Sequence, residues 1–371
     1  MKITIITGPF LPLPPAPAGA VERLWKELGE EFVSSGHDVT FIAKKVDKPV
    51  VISGAKLHQV AGFSRGKSLF LNLLKDFIYS SRVVRVVPES DITVVNAFWL
   101  PMLLRKKTYA GKIVLNVARI PKGQMLLYKN VDRLAAVSSA VKNAILSEAH
   151  GLSTIVKIIP NPVDINIFKP CKDRTPQIPR RILYTGRIHP EKGLDILIEA
   201  FKIVSGNISG LVLDIVGPCE REHGGGGAKY LKSLKAKTNG FPIEFHEPEF
   251  DKTKLVSFYH KATIFCYPSL AEKGESFGVA PLEAMATGLV PVVSSLDCFQ
   301  DFIKDDVTGI VFDHRAENPH LDLSAKLQKL LSDPEKITKI STQAINKAVT
   351  FSVEAVARLY IDDFQSLLER S

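Results

Sequence analysis

The chain reads as an α/β protein built from two doubly wound parallel sheets. Three observations predict this. Strand-like apolar runs alternate with helical apolar stripes in both halves of the sequence. At 371 residues the chain is too long for one compact domain and suits two of ordinary size. A proline-dense break runs from Pro160-Asn161-Pro162 through Pro170 to Pro176 and Pro179, a stretch that neither a helix nor a central strand tolerates.

The N-terminal half opens on Lys2 to Thr7, a strand that turns fully apolar. Gly8-Pro9 and a proline-rich loop lead to Gly19. The helix that follows sets Val21, Leu24, Leu28 and Phe32 on one face and ends near Ser34-Ser35-Gly36. Asp38 to Ala43 is the second strand. Further strands are expected at Ile92 to Asn96 and Lys112 to Val117.

Beyond the break, Ile182 to Thr185 is a strand. Gly186 allows a tight turn, and Arg187 and Lys192 put two cations on the loop before a helix striped with Leu194, Leu197, Ile198, Phe201 and Val204. A forked guanidinium and a point-charge ammonium at a strand end match a diphosphate; two solvated loop cations are the plainer alternative. About ninety residues on, Ile264 to Pro268 is a buried strand, and Glu275 and Glu283 stand eight positions apart in the turn and helix after it. That helix ends at Gly288, and Val290 to Val293 is the next strand. Carboxylates accept from vicinal hydroxyls, and amides at a helix start bind phosphate. The carboxyl end of a strand is where open α/β sheets bind ligands. The alternative is one solvated loop acid and one helix-terminal acid. The last segment, Ser352 to Leu368, is helical, with Val353, Val356, Leu359, Tyr360 and Phe364 on one face.

Gly186-Arg187 with Lys192-Gly193, then Glu275-x-Phe277-Gly278 with Glu283-Ala-Met285-Ala-x-Gly288, resembles the family-4 retaining glycosyltransferases of GT-B fold. The likeness covers most of the chain and is strongest from about residue 180 to 312. It implies two Rossmann-like domains facing across a cleft: an acceptor domain over 1–168, a donor domain over 169–350, and a terminal helix over 351–371 crossing back to the first. It implies that Glu275 contacts donor-sugar hydroxyls, Glu283 holds the ribose, and Arg187 and Lys192 grip the donor diphosphate beside Gly186. Backbone amides at Phe277, Gly278 and Val279 complete that cradle, and the loop at His246-Glu247-Pro248 corresponds to where the family holds the base.

Two departures stand out. The family's loop before the first helix often has two adjacent glycines; here it is Ala18-Gly19-Ala20, either a phosphate loop or an ordinary βα turn. The histidine usual after the Val-rich strand falls on Ala118, and Asn96 stands where another is common. Either Asn116, Arg119, Lys122 or Gln124 positions the acceptor, or the acceptor geometry differs. In this family the leaving diphosphate can itself take the acceptor proton, so loss of the imidazole leaves transfer possible. The run Gly224 to Gly227 reads as a mobile loop near the cleft or as a plain flexible surface loop.

Composition bounds the rest. Residues 1–170 hold 23 Lys+Arg against 12 Asp+Glu, a net of +11, while the remainder is −2, making up the chain's +9. An anionic partner follows for the first half: lipid phosphate, membrane surface or acidic glycan. Arg65, Lys67, Lys75, Arg82 and Arg85 interleave with Leu69, Phe70, Leu73, Leu74, Phe77 and Ile78. The segment is either a core helix with a solvated basic face or a basic amphipathic element lying in a membrane interface. No nucleic-acid-binding motif is present. Cys171, Cys219, Cys266 and Cys298 show no paired spacing, and the N-terminus has no signal-peptide layout, so a cytoplasmic protein, possibly peripheral at the membrane, is expected. No Asp-x-Asp motif occurs, and no required metal or other cofactor is expected, the nucleotide sugar being a co-substrate. A sugar-nucleotide epimerase and a non-catalytic sugar-nucleotide-binding partner subunit are the alternatives.

Overall fold

The structure, a computed structural model, describes residues 1–14, 19–47, 51–171 and 180–369. It divides into two units: Met1–Pro162 with Val353–Ser371, and Val163–Ser352. The first boundary falls six residues before the expected 168, and the second lies just after the expected 350. Ala18, Pro176 and Pro179, named above, lie outside the described residues.

The first unit holds seven parallel strands: β1 (Lys2–Ile6), β2 (Asp38–Lys44), β3 (Lys56–Val60), β4 (Ile92–Val95), β5 (Lys112–Val117), β6 (Arg133–Ala136) and β7 (Val156–Ile158). Their order is β3-β2-β1-β4-β5-β6-β7, so the direction of winding reverses between β1 and β4. Among the described residues, four helices connect them: α1 (Ala20–Ser34), α2 (Leu69–Val83), α3 (Leu100–Leu104) and α4 (Ser139–Glu148).

The second unit holds β8 (Arg180–Thr185), β9 (Leu211–Val216), β10 (Ile243–His246), β11 (Ile264–Tyr267), β12 (Val290–Ser294) and β13 (Ile310–Phe312), in the order β10-β9-β8-β11-β12-β13. Its helices are α5 (Leu194–Asn207), α6 (Ala228–Ala236), α7 (Lys252–Lys261), α8 (Val279–Ala286), α9 (Pro319–Leu331) and α10 (Pro334–Val349). Here the reversal lies between β8 and β11. Both sheets are parallel throughout and read as near-continuous apolar runs because helices cover both faces.

The last helix, α11 (Val353–Glu369), belongs to the first unit and packs on α1. Apolar burial drives this contact. Trp25 of α1 meets Tyr360 at 5.1 Å between ring centroids, and Phe32 meets Phe364 at 5.9 Å. The expected α1 stripe is rotated slightly: Trp25, Leu28 and Phe32 are fully buried, while Val21 and Leu24 lie at its edge. Leu359, expected on the packed face of α11, is exposed instead. Asp363 fixes the helix from its polar side, because its buried carboxylate accepts from Arg133 on β6 at 2.9 Å and Lys157 on β7 at 3.0 Å.

Candidate functional site

The second unit's site forms where β8 and β11 end side by side. The chain leaves β8 at Gly186, whose φ of +150° only glycine adopts readily. It then passes Arg187 and makes a 3₁₀ turn, Pro190–Lys192, closed by Gly193 at φ +68°. A Cβ at Gly193 would run into the carbonyl of Pro268 in the loop after β11, so glycine lets the two loops touch.

That approach brings Lys192 onto Glu275. The Nζ atom lies 2.6 Å from Glu275 Oε2, with both side chains nearly buried at 6% and 10% exposure. Ser269 donates its hydroxyl to the same oxygen at 2.8 Å. Tyr267 forms the floor: the Lys192 ammonium stands 5.2 Å from its ring centroid, and its ring stacks on that of Tyr184 at 5.7 Å. Burial pushes the Tyr267 phenol well up from its usual range; the Glu275 charge adds to this and Arg187 opposes it. The phenol is therefore a neutral hydroxyl that feels both a carboxylate and a guanidinium.

Arg187 lies closer to solvent. It donates to Glu191 Oε1 at 2.7 Å and to the Gly224 carbonyl at 2.9 Å. The tetraglycine run is thereby tied into the site. The amides of Gly225, Gly226 and Gly227 donate to Glu220, Ile188 and Cys219 carbonyls at 2.8, 2.8 and 2.7 Å. Against the expectation of a mobile or plain flexible loop, it is a hydrogen-bonded one, packed against Arg187.

Glu283 sits half-buried on α8 and accepts from Tyr259 at 2.9 Å, whose hydroxyl meets Thr185 of β8 at 2.7 Å. The three residues link α8, α7 and β8. Gly278 is the N-cap of α8, and Phe277 before it is buried. Among the described residues nothing accepts from the amides of Gly278 and Val279, which leaves two donors at a helix start beside Glu275. Glu247 is exposed just past β10. Sequence reasoning missed Glu191, Tyr184, Tyr267 and Ser269. The signal for Glu191 was its i,i+4 spacing from Arg187; the others are brought in by sheet register alone.

One group of three potential metal-ligating side chains occurs among the described residues: Asp214, Glu244 and His246. Arg181 is its cation, donating to both Asp214 oxygens at 2.7 and 2.9 Å, while His246 meets Asp214 at 2.7 Å. The cluster is an ion-pair network on β8, β9 and β10.

In the first unit, Gly19 is the N-cap of α1. The Glu22 side chain folds back on Gly19, where an added Cβ would run into its Oε2, so a carboxyl group already stands at the start of this helix. Burial holds the Glu22 carboxyl above its ordinary range, against the pull of the nearby backbone amides and the charge of Arg119. Asn116 donates to Asn96 at 2.8 Å, and Asn96 donates to the Ile6 carbonyl at 3.1 Å. The two asparagines thus stand together, Asn96 where one imidazole is common and Asn116 two residues before Ala118, where the other falls. Lys122 and Arg119 are exposed, and Gln124 folds back onto the Lys122 amide at 2.7 Å. Asn116 therefore faces Asn96 at the sheet end, Arg119 is felt by the Glu22 carboxyl, and Gln124 serves its own loop.

Residues 169–347 match the family model of glycosyl transferases group 1. A D-inositol 3-phosphate glycosyltransferase of Thermobispora bispora is 26% identical over 249 residues, 64% of this chain and 57% of that protein. A lipopolysaccharide 1,2-N-acetylglucosaminetransferase of Salmonella typhimurium is 27% identical over 361 residues, 90% of each. The chain thus spans little more than half of the first relative's length and most of the second's. Among solved structures, sucrose-phosphate synthase of Thermosynechococcus elongatus superposes with a TM-score of 0.79 at 20% identity, covering all of both chains. HepE of Anabaena, solved with UDP and glucose, gives 0.73 at 16% identity, covering 99% of this chain and 100% of that one. The two parallel sheets with their flanking helices are two Rossmann-like domains of the GT-B fold, and residues 169–347, just under half of the chain, carry the match to the glycosyl transferases group 1 family.

Proposed function

We propose that the protein is a family-4-like retaining glycosyltransferase, moving a hexosyl unit from a nucleotide-diphosphate sugar to a glycan, lipid-linked or small-molecule acceptor in cell-surface polysaccharide or glycolipid synthesis. The observation that carries this reading is the convergence of Arg187, Lys192 and Glu275 on Tyr267 at the β8/β11 switch point, beside the open amides of Gly278 and Val279. A neighbour of the same fold binds UDP and glucose, which supports a nucleotide-sugar donor.

On this reading Lys192 and Arg187 hold the diphosphate and stabilise the charge that builds on it as the sugar–oxygen bond breaks. Lys192 has three donors, so it can keep Glu275 oriented while giving another to a phosphate oxygen. Glu275 accepts from sugar hydroxyls, and Glu283, steadied by Tyr259, accepts from the ribose. The acceptor hydroxyl attacks on the face the diphosphate leaves, and its proton passes to a departing phosphate oxygen. The reaction closes without a protein base, which accommodates Ala118 and the Asn96–Asn116 pair. No metal is invoked.

The test is incubation of the purified chain with a panel of nucleotide sugars and acceptors, scoring nucleotide-diphosphate release and the anomeric proton coupling of the product. Acceptor-dependent release with retained configuration is expected. An inverted product removes the mechanism. Sugar interconversion without an acceptor points to an epimerase. The missing imidazole favours one second reading, a donor-binding partner subunit, which would bind the nucleotide sugar and release nothing with any acceptor.

A further inference from the structure

The first unit carries a helix whose outer half is largely exposed. Around α2, at 100° per residue, the buried side chains Asp76, Tyr79, Ser80 and Val83 fall on one side. Phe70, Leu71, Leu74, Phe77 and Ile78 cover an arc of about 120° on the opposite side. All five are exposed, Phe70 at 75%, and Leu69 at the helix start is exposed at 74%. Five large apolar side chains on one exposed helix face, with Leu69 exposed at the helix end, exceed what scattered surface hydrophobes explain.

The apolar face continues beyond the helix. Phe77 meets Trp99 edge-on at 6.0 Å, Trp99 meets Phe98 at 5.1 Å, and Phe98 meets Tyr128 at 6.0 Å. Tyr128 closes a 3₁₀ turn, Met125–Tyr128, that presents Leu126 and Leu127 to solvent. Cations border the strip. Arg65, Lys67, Arg82 and Arg85 are exposed before, beside and after α2. Lys75 is half-buried, donating to the Ser64 carbonyl at 2.8 Å. The one acid on α2, Asp76, is buried and accepts from the amides of Phe98 and Trp99.

We infer that this face is a docking surface for an anionic lipid bilayer, with α2 lying in the interface plane. Apolar side chains on one side and cations at the flanks, with no exposed acid on the helix, are what an anionic interface recognises. At about 22 Å for its fifteen residues, α2 is too short to cross a hydrocarbon core. No helix among the described residues is long and apolar enough to do so. A second copy is the poorer occupant, because a two-fold contact would set the strip's cations against themselves. The inference stands apart from the transfer reading, since the proposed donor residues all lie in the second unit.

The experiment is vesicle flotation of the full chain, with phosphatidylcholine alone and with one third phosphatidylglycerol, at low and high salt. Tryptophan emission gives a second readout: Trp25 is fully buried, so a blue shift on binding reports Trp99 beside Phe77. Wild type should float with the anionic vesicles at low salt, shift blue, and detach at high salt. Phe70→Asp with Leu74→Asp should lose at least tenfold in affinity with its melting temperature unchanged. Arg65→Glu with Lys67→Glu and Arg85→Glu should lose about a hundredfold, at roughly fivefold per cation. Donor affinity should stay constant in both. Absence of binding at low salt, or wild-type flotation by the apolar variant, overturns the inference. So does a wild-type dimer that the apolar variant splits, which would make the strip a self-interface.

Discussion

Removing one member of the Lys192–Glu275 pair should destabilise the second unit, and removing both should not. The contact is 2.6 Å with both side chains at or below 10% exposure, so each charge depends on the other for solvation. Breaking a buried pair from one side costs about 3–5 kcal/mol, because the remaining ion is left uncompensated. Glu275→Leu leaves Lys192 only the Tyr267 ring, and the upper half of that range is expected. Lys192→Met leaves Glu275 the Ser269 hydroxyl, and about 3 kcal/mol is expected. At about 2–4 °C per kcal/mol for a unit of this size, the drop for Lys192→Met is about 6–12 °C. The double variant, with two apolar side chains of similar volume, should come within about 1 kcal/mol of wild type. Both tryptophans lie in the first unit, so calorimetry or far-ultraviolet circular dichroism must follow the transition. If each single variant melts within about 1 °C of wild type, water screens the pair and the argument from burial is wrong.

Three further outcomes follow from the geometry. Arg187→Ala should weaken nucleotide-diphosphate binding by about 1.5–3 kcal/mol, whereas Glu191→Gln should strengthen it by less than about 1 kcal/mol, because that pair is partly exposed; calorimetric titration of both variants decides this. Glu283→Gln should erase most of the preference for ribonucleotides over 2′,3′-dideoxynucleotides while the fold persists, and a fully kept preference would make Glu283 a packing residue tied to Tyr259. Glu22 has a folded-state pKa above its unfolded value, so the folded state holds more protons as pH rises from about 4.5 through the raised pKa, and stability falls across that window. Glu22→Gln should flatten this slope in urea titrations at stepped pH, and an unchanged slope would assign it to other groups such as Asp76.

The fold was legible because both sheets are buried on two faces. Runs such as Ile264 to Tyr267 and Val290 to Val293 are apolar throughout, and their turns carry glycine where the backbone requires it. Glu275, Lys192 and Arg187 were legible as a group because each follows a strand end. Their pairing was not, since the Lys192–Glu275 contact spans 83 positions and depends on β8 lying beside β11. The same holds for Tyr184 and Tyr267, whose stacking is a product of register. The tetraglycine loop misled because composition speaks of the unfolded chain's freedom; its amides find carbonyls only once β8 and β9 are in place. Leu359 misled because an amphipathic stripe wider than the contact leaves its edge in solvent. For α2 the sequence left both a core helix and an interfacial one open. Apolar residues surround that helix, and only the structure says which half faces the protein.

The ion pairs of the second unit also bear on selectivity. Arg187 and Lys192 each have a carboxylate partner, Glu191 and Glu275, at 2.7 and 2.6 Å. Such pairing lowers the cost of keeping two cations at a sheet end. It also sets a condition on any anion that enters: charge gained by the phosphate is partly lost by the carboxylate. A small inorganic anion offers Glu275 nothing in return and gains little. A sugar diphosphate supplies phosphate oxygens to the cations and hydroxyls to the carboxylate, so both halves of the Lys192–Glu275 pair keep partners. The arrangement therefore favours a ligand that carries both groups at once over one that carries charge alone, and the discrimination arises from the pair rather than from either residue.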